Sequence, residues 1–316
     1  MQKSLHTTLA LLVFIVAACA PAPFGPREIT IPAPKSGLAY FGFAVIDCGW
    51  DDTGDEEVKT NYLDEVTGFT NVAQMCVYSP NEDLAQRLDA FTKGRVKAIL
   101  HVEAILFEQA ESAQSPSGRR VFLAGDAEAR WSAFVEKNRG FLTPAHLAAL
   151  YVVDEPFWNG VTEADLNRSI EIIESSLPEI PTMLVEGWPA VDKLRVPLAL
   201  DWIGFDRYGV IDPSTDEQWL ADLETVRAAR TRADQKIVLV ADTQWLPMYV
   251  SAGVKPEDMA WIISRYYQLA ATDPDVIALI GYVWPGGLDG AEQLGARSLP
   301  KNALDLFKEI GAQIIR

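Results

Sequence analysis

Histidine, cysteine and basic side chains are all scarce in this chain of 316 residues. The 3 histidines, His6, His101 and His146, are dispersed, which argues against a multi-histidine metal centre. With 3 cysteines a disulfide-stapled scaffold is excluded. Lys and Arg total 27 against 44 Asp and Glu, a formal net charge of -17. A surface of that sign repels phosphate backbones and anionic membrane surfaces, so nucleic acid is not an expected partner. The apolar run Leu9–Val16 is too short for a typical membrane span. What the chain does have is 49% apolar residues, enough to build a core. Its length permits one large domain or two average ones.

The first 18 residues carry one charge, Lys3, ahead of that apolar run, and small residues follow. This is a secretory signal pattern. It ends in Val16-Ala17-Ala18-Cys19, which resembles the bacterial lipobox. The resemblance implies cleavage before Cys19, lipidation of its thiol and a membrane anchor, and the alternative is a plain signal peptide with an incidental cysteine. Ala20 follows the cysteine, with no Asp of the kind linked to inner-membrane retention, so an outer-membrane anchor is expected in a Gram-negative cell. Residues 19–36 hold five prolines and read as an extended spacer. Cys48 and Cys76 fall at the ends of neighbouring predicted strands, and a disulfide between them is open.

From Gly37 to the end there is no internal linker. Eight short apolar runs read as strands: 38–46, 72–78, 98–107, 148–153, 182–185, 202–205, 237–241 and 276–283. Several are continuous, as in strands buried on both faces. Helical patterns lie between them at 55–69, 81–93, 126–139, 162–177, 215–232, 256–271 and 301–315, with only a short crossover at 190–196. Thr162 and Lys255-Pro256 mark helix starts. Eight alternating units across residues 37–316 predict a single-domain (β/α)₈, or TIM, barrel. A doubly wound sheet is second, because Asp47-Cys48-Gly49-Trp50 offers no glycine-rich phosphate loop after the first strand.

In such a barrel, chemistry sits where strands exit towards their helices. Those positions hold Asp47, His101, Glu103, Asp154, Glu155, Glu186, Asp206, Arg207, Tyr208 and Asp242. Carboxyls crowded in a partly dry cleft push one another's pKa values apart, so one stays protonated while another stays ionised. That pairing suits glycosidic bond cleavage. Trp50, Trp158, Trp188, Trp245 and Trp284 lie just past predicted strand ends, where aromatic rings suit sugar faces.

With these residues in order, the chain resembles the clan A glycoside hydrolases, (β/α)₈ enzymes with catalytic carboxylates on strands four and seven. Asp154-Glu155-Pro156 is similar to the clan's Asn-Glu-Pro, which implies Glu155 as general acid/base. The run Asp201-Trp202-Ile203-Gly204-Phe205-Asp206-Arg207-Tyr208 is similar to the clan's sixth strand. Val240-Ala241-Asp242-Thr243-Gln244-Trp245 is similar to its seventh, with Asp242 where the nucleophilic Glu belongs. Trp284 stands where the clan places a Trp under the reacting sugar. The Asp is one methylene short. It leaves three readings: a nucleophile on a shifted strand, an inverting enzyme with Asp242 or another rim carboxylate activating water, or a true partner in Glu186 or Asp206.

The resulting expectation is an exported lipoprotein that cleaves an extracellular or cell-envelope glycan without a cofactor or metal. Glu155 and Asp242 are its candidate catalytic pair. Asp47, Asp154, Glu186, Asp206, Arg207, Tyr208, Trp245 and Trp284 are candidate substrate contacts. The acid surplus disfavours a strongly anionic polysaccharide, while Arg207 at the rim offers one local site for an acidic sugar. The rivals are a non-catalytic carbohydrate-binding barrel and, behind it, a metal-assisted hydrolase on rim carboxylates.

Overall fold

The computed structural model describes residues 27–35 and 37–315. The proposed signal peptide and Cys19 lie outside the described residues. Ten strands are present among the described residues: β1 Tyr40–Asp47, β2 Val72–Cys76, β3 Lys97–His101, β4 Phe107–Glu111, β5 Arg119–Leu123, β6 Leu147–Asp154, β7 Thr182–Gly187, β8 Trp202–Asp206, β9 Lys236–Asp242 and β10 Val276–Tyr282. Eight of them close into a parallel barrel in the order β1-β10-β9-β8-β7-β6-β3-β2. The (β/α)₈ fold read from the sequence is the fold observed. Closure leaves no barrel strand with an unpaired edge.

The helices are α1 Leu63–Val66, α2 Ala85–Lys93, α3 Glu103–Leu106, α4 Ala127–Asn138, α5 Glu163–Glu174, α6 Glu217–Ala228, α7 Met259–Thr272 and α8 Lys301–Ile314. Thr162 caps α5 by accepting the Asp165 N–H at 3.1 Å, the local bond that its position predicts. Asp216 caps α6 in the same way through Trp219 N at 2.8 Å. The short crossover after β7 is a 3₁₀ turn, Trp188–Lys193.

Two cores result. One lies between barrel and helices, with Trp131, Trp219, Phe43 and Phe307 among its buried rings. The other fills the barrel with alternate strand residues, including Tyr151, Met183, Val185, Val238, Val240 and Ile280. Tyr40 and Trp202, each first in its strand, close the N-terminal end with ring centroids 5.4 Å apart.

The structure departs from the sequence expectation in three places. The run 98–107 is not one strand. It breaks after His101 into α3 and then into a β-hairpin, β4–β5, that pairs Phe107 with Leu123 and Glu111 with Arg119. The expected helix at 55–69 shrinks to α1, with Arg297 holding Asp52 and Asp55 in the loop before it and pairing with Glu65 of α1. Residues 27–35, expected as free spacer, lie along α7. Gln268 donates to Thr30 O at 2.8 Å and Lys35 N donates to Ala271 O at 2.8 Å.

Cys48 and Cys76 form a disulfide between the ends of β1 and β2. It closes a loop with a sequence separation of 28, for which chain entropy gives about 3.6 kcal/mol of stability. Cys48→Ser is expected to lower the unfolding free energy by about that amount in urea titration. An unchanged midpoint under oxidising conditions would show that the bridge contributes nothing.

Candidate active site

A cavity of about 830 Å³ opens at the C-terminal mouth of the barrel. Its wall carries the carboxyls Asp154, Glu155, Asp206 and Asp289, and the rings Trp50, Tyr78, Tyr151, Trp188, Tyr208 and Tyr282. The floor is the barrel core itself, at Met183, Val185, Val238, Val240 and Ile280. A few polar groups over an apolar, aromatic wall is the usual composition of a small-molecule site.

Glu155 follows the last residue of β6. Its backbone has φ +43°, the left-handed region that β-carbon sterics disfavour. The conformation is pinned on both sides. Glu155 N donates to Val185 O at 2.7 Å, and Glu155 O accepts from Asn159 N at 2.8 Å. An outlier held this firmly beside a cleft points to function. The side chain turns across the end of β7, where a β-carbon on Gly187 would lie 2.7 Å from Glu155 Oε1. A side chain at Gly187 would push that carboxyl from its place. Burial, with the charge of Asp154 beside it, pushes the Glu155 pKa up to about 7.

Asp154 is held by a short hydrogen bond from Tyr151 O–H, and its backbone N–H donates to Glu103 Oε2 at 3.0 Å. Glu103 also faces His101 Nε2 at 3.4 Å, and the His101 ring stacks on Tyr151 with centroids 4.5 Å apart. This chain of contacts buttresses Asp154 from the α3 side. Asp206 ends β8, accepts from Tyr208 O–H at 3.3 Å and faces the cavity. Burial raises its pKa well above the ordinary carboxylate range, and the charges of Glu155 and Asp154 add to the effect. Asp289, in the loop after β10, accepts from Tyr282 O–H at 3.2 Å and is also shifted upward by burial.

Several expected site residues have other surroundings. Asp242 is fully buried and is absent from the cavity wall. Its Oδ2 accepts a short bond from Tyr249 O–H and one from Gly209 N at 2.8 Å, while Oδ1 has no partner. Burial raises the Asp242 pKa to about 6 against the pull of those donors. Glu186, expected as a substrate contact, also has no exposed surface. It accepts the backbone N–H groups of Phe157 at 2.9 Å, Trp158 at 3.0 Å and Gly187 at 3.1 Å, and so anchors the loop after β6. Asp47 is turned from the cavity into an ion pair with Arg87 at 2.7 Å. Arg207 is used up by Asp222 at 2.6 Å and by the Trp188 ring at 4.8 Å.

The tryptophans divide. Trp50 and Trp188 stand on the cavity wall, and Trp188 is 48% exposed. Trp284 is not under the cavity. Its ring packs on Phe43 at 4.7 Å in the outer core, and Nε1 donates to Glu65 at 2.7 Å. Trp245 likewise points away, donating to Val254 O at 3.1 Å. Both lie past a strand end, where no strand register aims the side chain, so adjacency in sequence does not set the face.

Sequence reasoning missed Asp289 and Arg119. Arg119 sits in the unforeseen β4–β5 hairpin, whose signal was the turn-forming run Ser115-Pro116-Ser117-Gly118 between two alternating segments. Asp289 lies in a glycine-rich loop with no register to read. Among the described residues, no group of three or more His, Cys, Asp or Glu is arranged to hold a metal ion.

No family model matches the chain, and no curated protein does. Solved structures do. Xylanase 10B from Thermotoga petrophila aligns at 11% identity over 88% of this chain and 95% of its own, with a TM-score of 0.53. A GH113 beta-1,4-mannanase aligns at 12% identity over 86% and 98%, with a TM-score of 0.52. A glucosidase from Croceicoccus marinus aligns at 13% identity over 90% and 68%, with a TM-score of 0.55. At these identities the likeness is one of fold.

The buried Glu186 carboxyl gives a stability prediction. Burial raises its folded pKa to about 8, against about 4.3 in an unfolded chain. Between those values the folded state keeps a proton that the unfolded state releases. Its contribution is therefore complete below about pH 4 and is lost as pH rises towards 8. Glu186→Gln is expected to flatten the fall in unfolding free energy across that window. An unchanged pH slope would contradict a protonated Glu186.

Proposed function

We propose that this protein hydrolyses glycosidic bonds, with Glu155 as the general acid/base. One observation carries the reading. Glu155 is held in a disfavoured backbone conformation on the wall of an aromatic-lined cavity, with its pKa moved to about 7. A carboxyl that exchanges its proton near neutrality is suited to protonating a leaving oxygen and then deprotonating a water. The rings of Trp50, Trp188, Tyr208 and Tyr282 offer apolar faces for sugar C–H groups. The glycoside hydrolases that share the fold add support by analogy.

The second carboxylate has two candidates. Asp242 is favoured by charge, since a group that titrates at about 6 is ionised at pH 7 beside a protonated Glu155, and its Oδ1 is unpartnered. It reaches a sugar only if the Tyr208-Gly209 segment and Tyr249 that cover Oδ2 move aside. Asp206 is favoured by access, because it faces the cavity and is electrically coupled to Glu155.

The export and lipid anchor belong to the same proposal. Their support is the leader with its lipobox-like end at Cys19, and the Cys48–Cys76 disulfide, which suits an oxidising compartment. The substrate is then an oligosaccharide or polysaccharide of the cell envelope or its surroundings.

Glu155→Gln is expected to reduce kcat on any glycan that the wild type cleaves by about 10²–10⁴-fold, and full retention would remove Glu155 from the chemistry. Activity of the wild type should fall as pH rises through about 7, where Glu155 gives up the proton it donates. Comparing Asp206→Asn with Asp242→Asn identifies the partner: the true one loses kcat to the same order as Glu155→Gln, with KM little changed.

A further inference from the structure

Almost every arginine around the barrel mouth is neutralised. Arg87 pairs with Asp47 and Glu82, Arg297 with Asp52, Asp55 and Glu65, Arg207 with Asp222, and Arg130 with Glu108. Arg119 is not, nor is its hairpin neighbour Arg120, which lies off the cavity wall against the Phe122 ring. Arg119 is the only Arg or Lys on the cavity wall, and its guanidinium has no hydrogen bond or ion pair among the described residues. Glu111 stands opposite it in the hairpin, yet the two make no ion pair.

Position makes this unpaired cation informative. The hairpin is tied to the loop after β6 by Val121 N to Asn159 O at 2.8 Å and Ser117 N to Trp158 O at 3.2 Å. Arg119 is thereby fixed beside the segment that carries Glu155, and its charge is felt by Glu155, Asp154 and Glu103. An unpartnered guanidinium beside a sugar-sized cavity, in a chain of net charge -17, is a site for an anionic group.

We propose that Arg119 binds the carboxylate of a single hexuronic acid residue of the glycan, seated in the cavity next to Glu155. This rests on the carbohydrate reading of the cavity and deepens it. A carboxylate fits the planar guanidinium fork with two parallel hydrogen bonds. One cation among four acidic side chains suits an isolated monoanion. A phosphate monoester, close to a dianion at neutral pH, or a run of uronates would call for more positive charge than the wall supplies. The burial that keeps Asp206, Asp154 and Glu155 prone to hold protons also limits the repulsion such a carboxylate meets.

The test uses binding by the Glu155→Gln protein, so that turnover is not required. Its probes are neutral oligosaccharides of several backbones, each bearing one hexuronic acid, together with the same molecules after the carboxyl has been reduced to a hydroxymethyl group. The expected result is that at least one acidic probe binds at least about tenfold more tightly than its reduced form by calorimetry. Adding Arg119→Gln should abolish that preference, and Arg119→Lys should restore part of it. Arg119 is on an exposed hairpin, so the substitution leaves the barrel core intact. Equal binding of every acidic probe and its reduced form overturns the inference, as does a preference that survives Arg119→Gln. A loss of wild-type activity on neutral and acidic glycans alike in Arg119→Gln would also overturn it, since the guanidinium would then act on Glu155 alone. A protein that binds the acidic probe through Arg119 but cuts no glycan upholds the inference while refuting hydrolysis. One that cuts neutral glycans with no preference for the acid does the reverse.

Discussion

Three backbone N–H groups converge on the carboxyl of Glu186, at the end of β7. Two belong to the loop after β6, so this one side chain ties the fourth barrel strand to the fifth beyond the last ladder bond. The tie holds the short segment that begins at Glu155, whose left-handed backbone would otherwise relax. Gly187 completes the arrangement by leaving the space that the Glu155 carboxyl occupies. Remove the latch and the loop loses its reason to curve back over the barrel mouth. The place of Glu155 on the cavity wall depends on that curvature.

A second constraint is the distribution of charge. The chain is strongly acidic, and its few cations are spent as local clamps. Arg297 draws the loop after β1 and α1 onto the loop after β10, across the seam where the barrel closes, with Glu65 at 2.9 Å and Asp52 at 3.2 Å. Arg87 fixes the turn at the end of β1 by also donating to Cys76 O at 2.9 Å. These clamps leave the interior carboxyls Asp154, Asp206 and Glu155 without paired cations, so burial dominates their titration and moves all three upward. The spending of cations at the periphery and the shifted carboxyls at the centre are two sides of one economy of charge.

The sequence was legible where periodicity is strict. All eight barrel strands were found because each is a buried apolar run, and α5 because its cap and apolar face coincide. The turn α3 was read as the tail of a strand, since His101, Glu103 and Ile105 keep an alternation that is also satisfied by a strand followed by one helical turn, and the β4–β5 hairpin beyond it was not foreseen. The expected helix at 55–69 failed because its acids are recruited by a cation more than two hundred residues away, Arg297.

At the site, Asp154, Glu155, Asp206 and Tyr208 were legible as residues at strand exits, and the structure gathers them on one wall. Asp242, Glu186, Asp47, Arg207, Trp245 and Trp284 occupy equally suggestive positions, yet each is turned to another partner. Sequence determined the barrel, its strand order and the rim on which polar groups collect, because those follow from local hydrophobic period. Only the tertiary structure decided which rim residues face the cavity and which are consumed as latches and clamps. That choice is made by contacts between distant loops, whose partners no local pattern records.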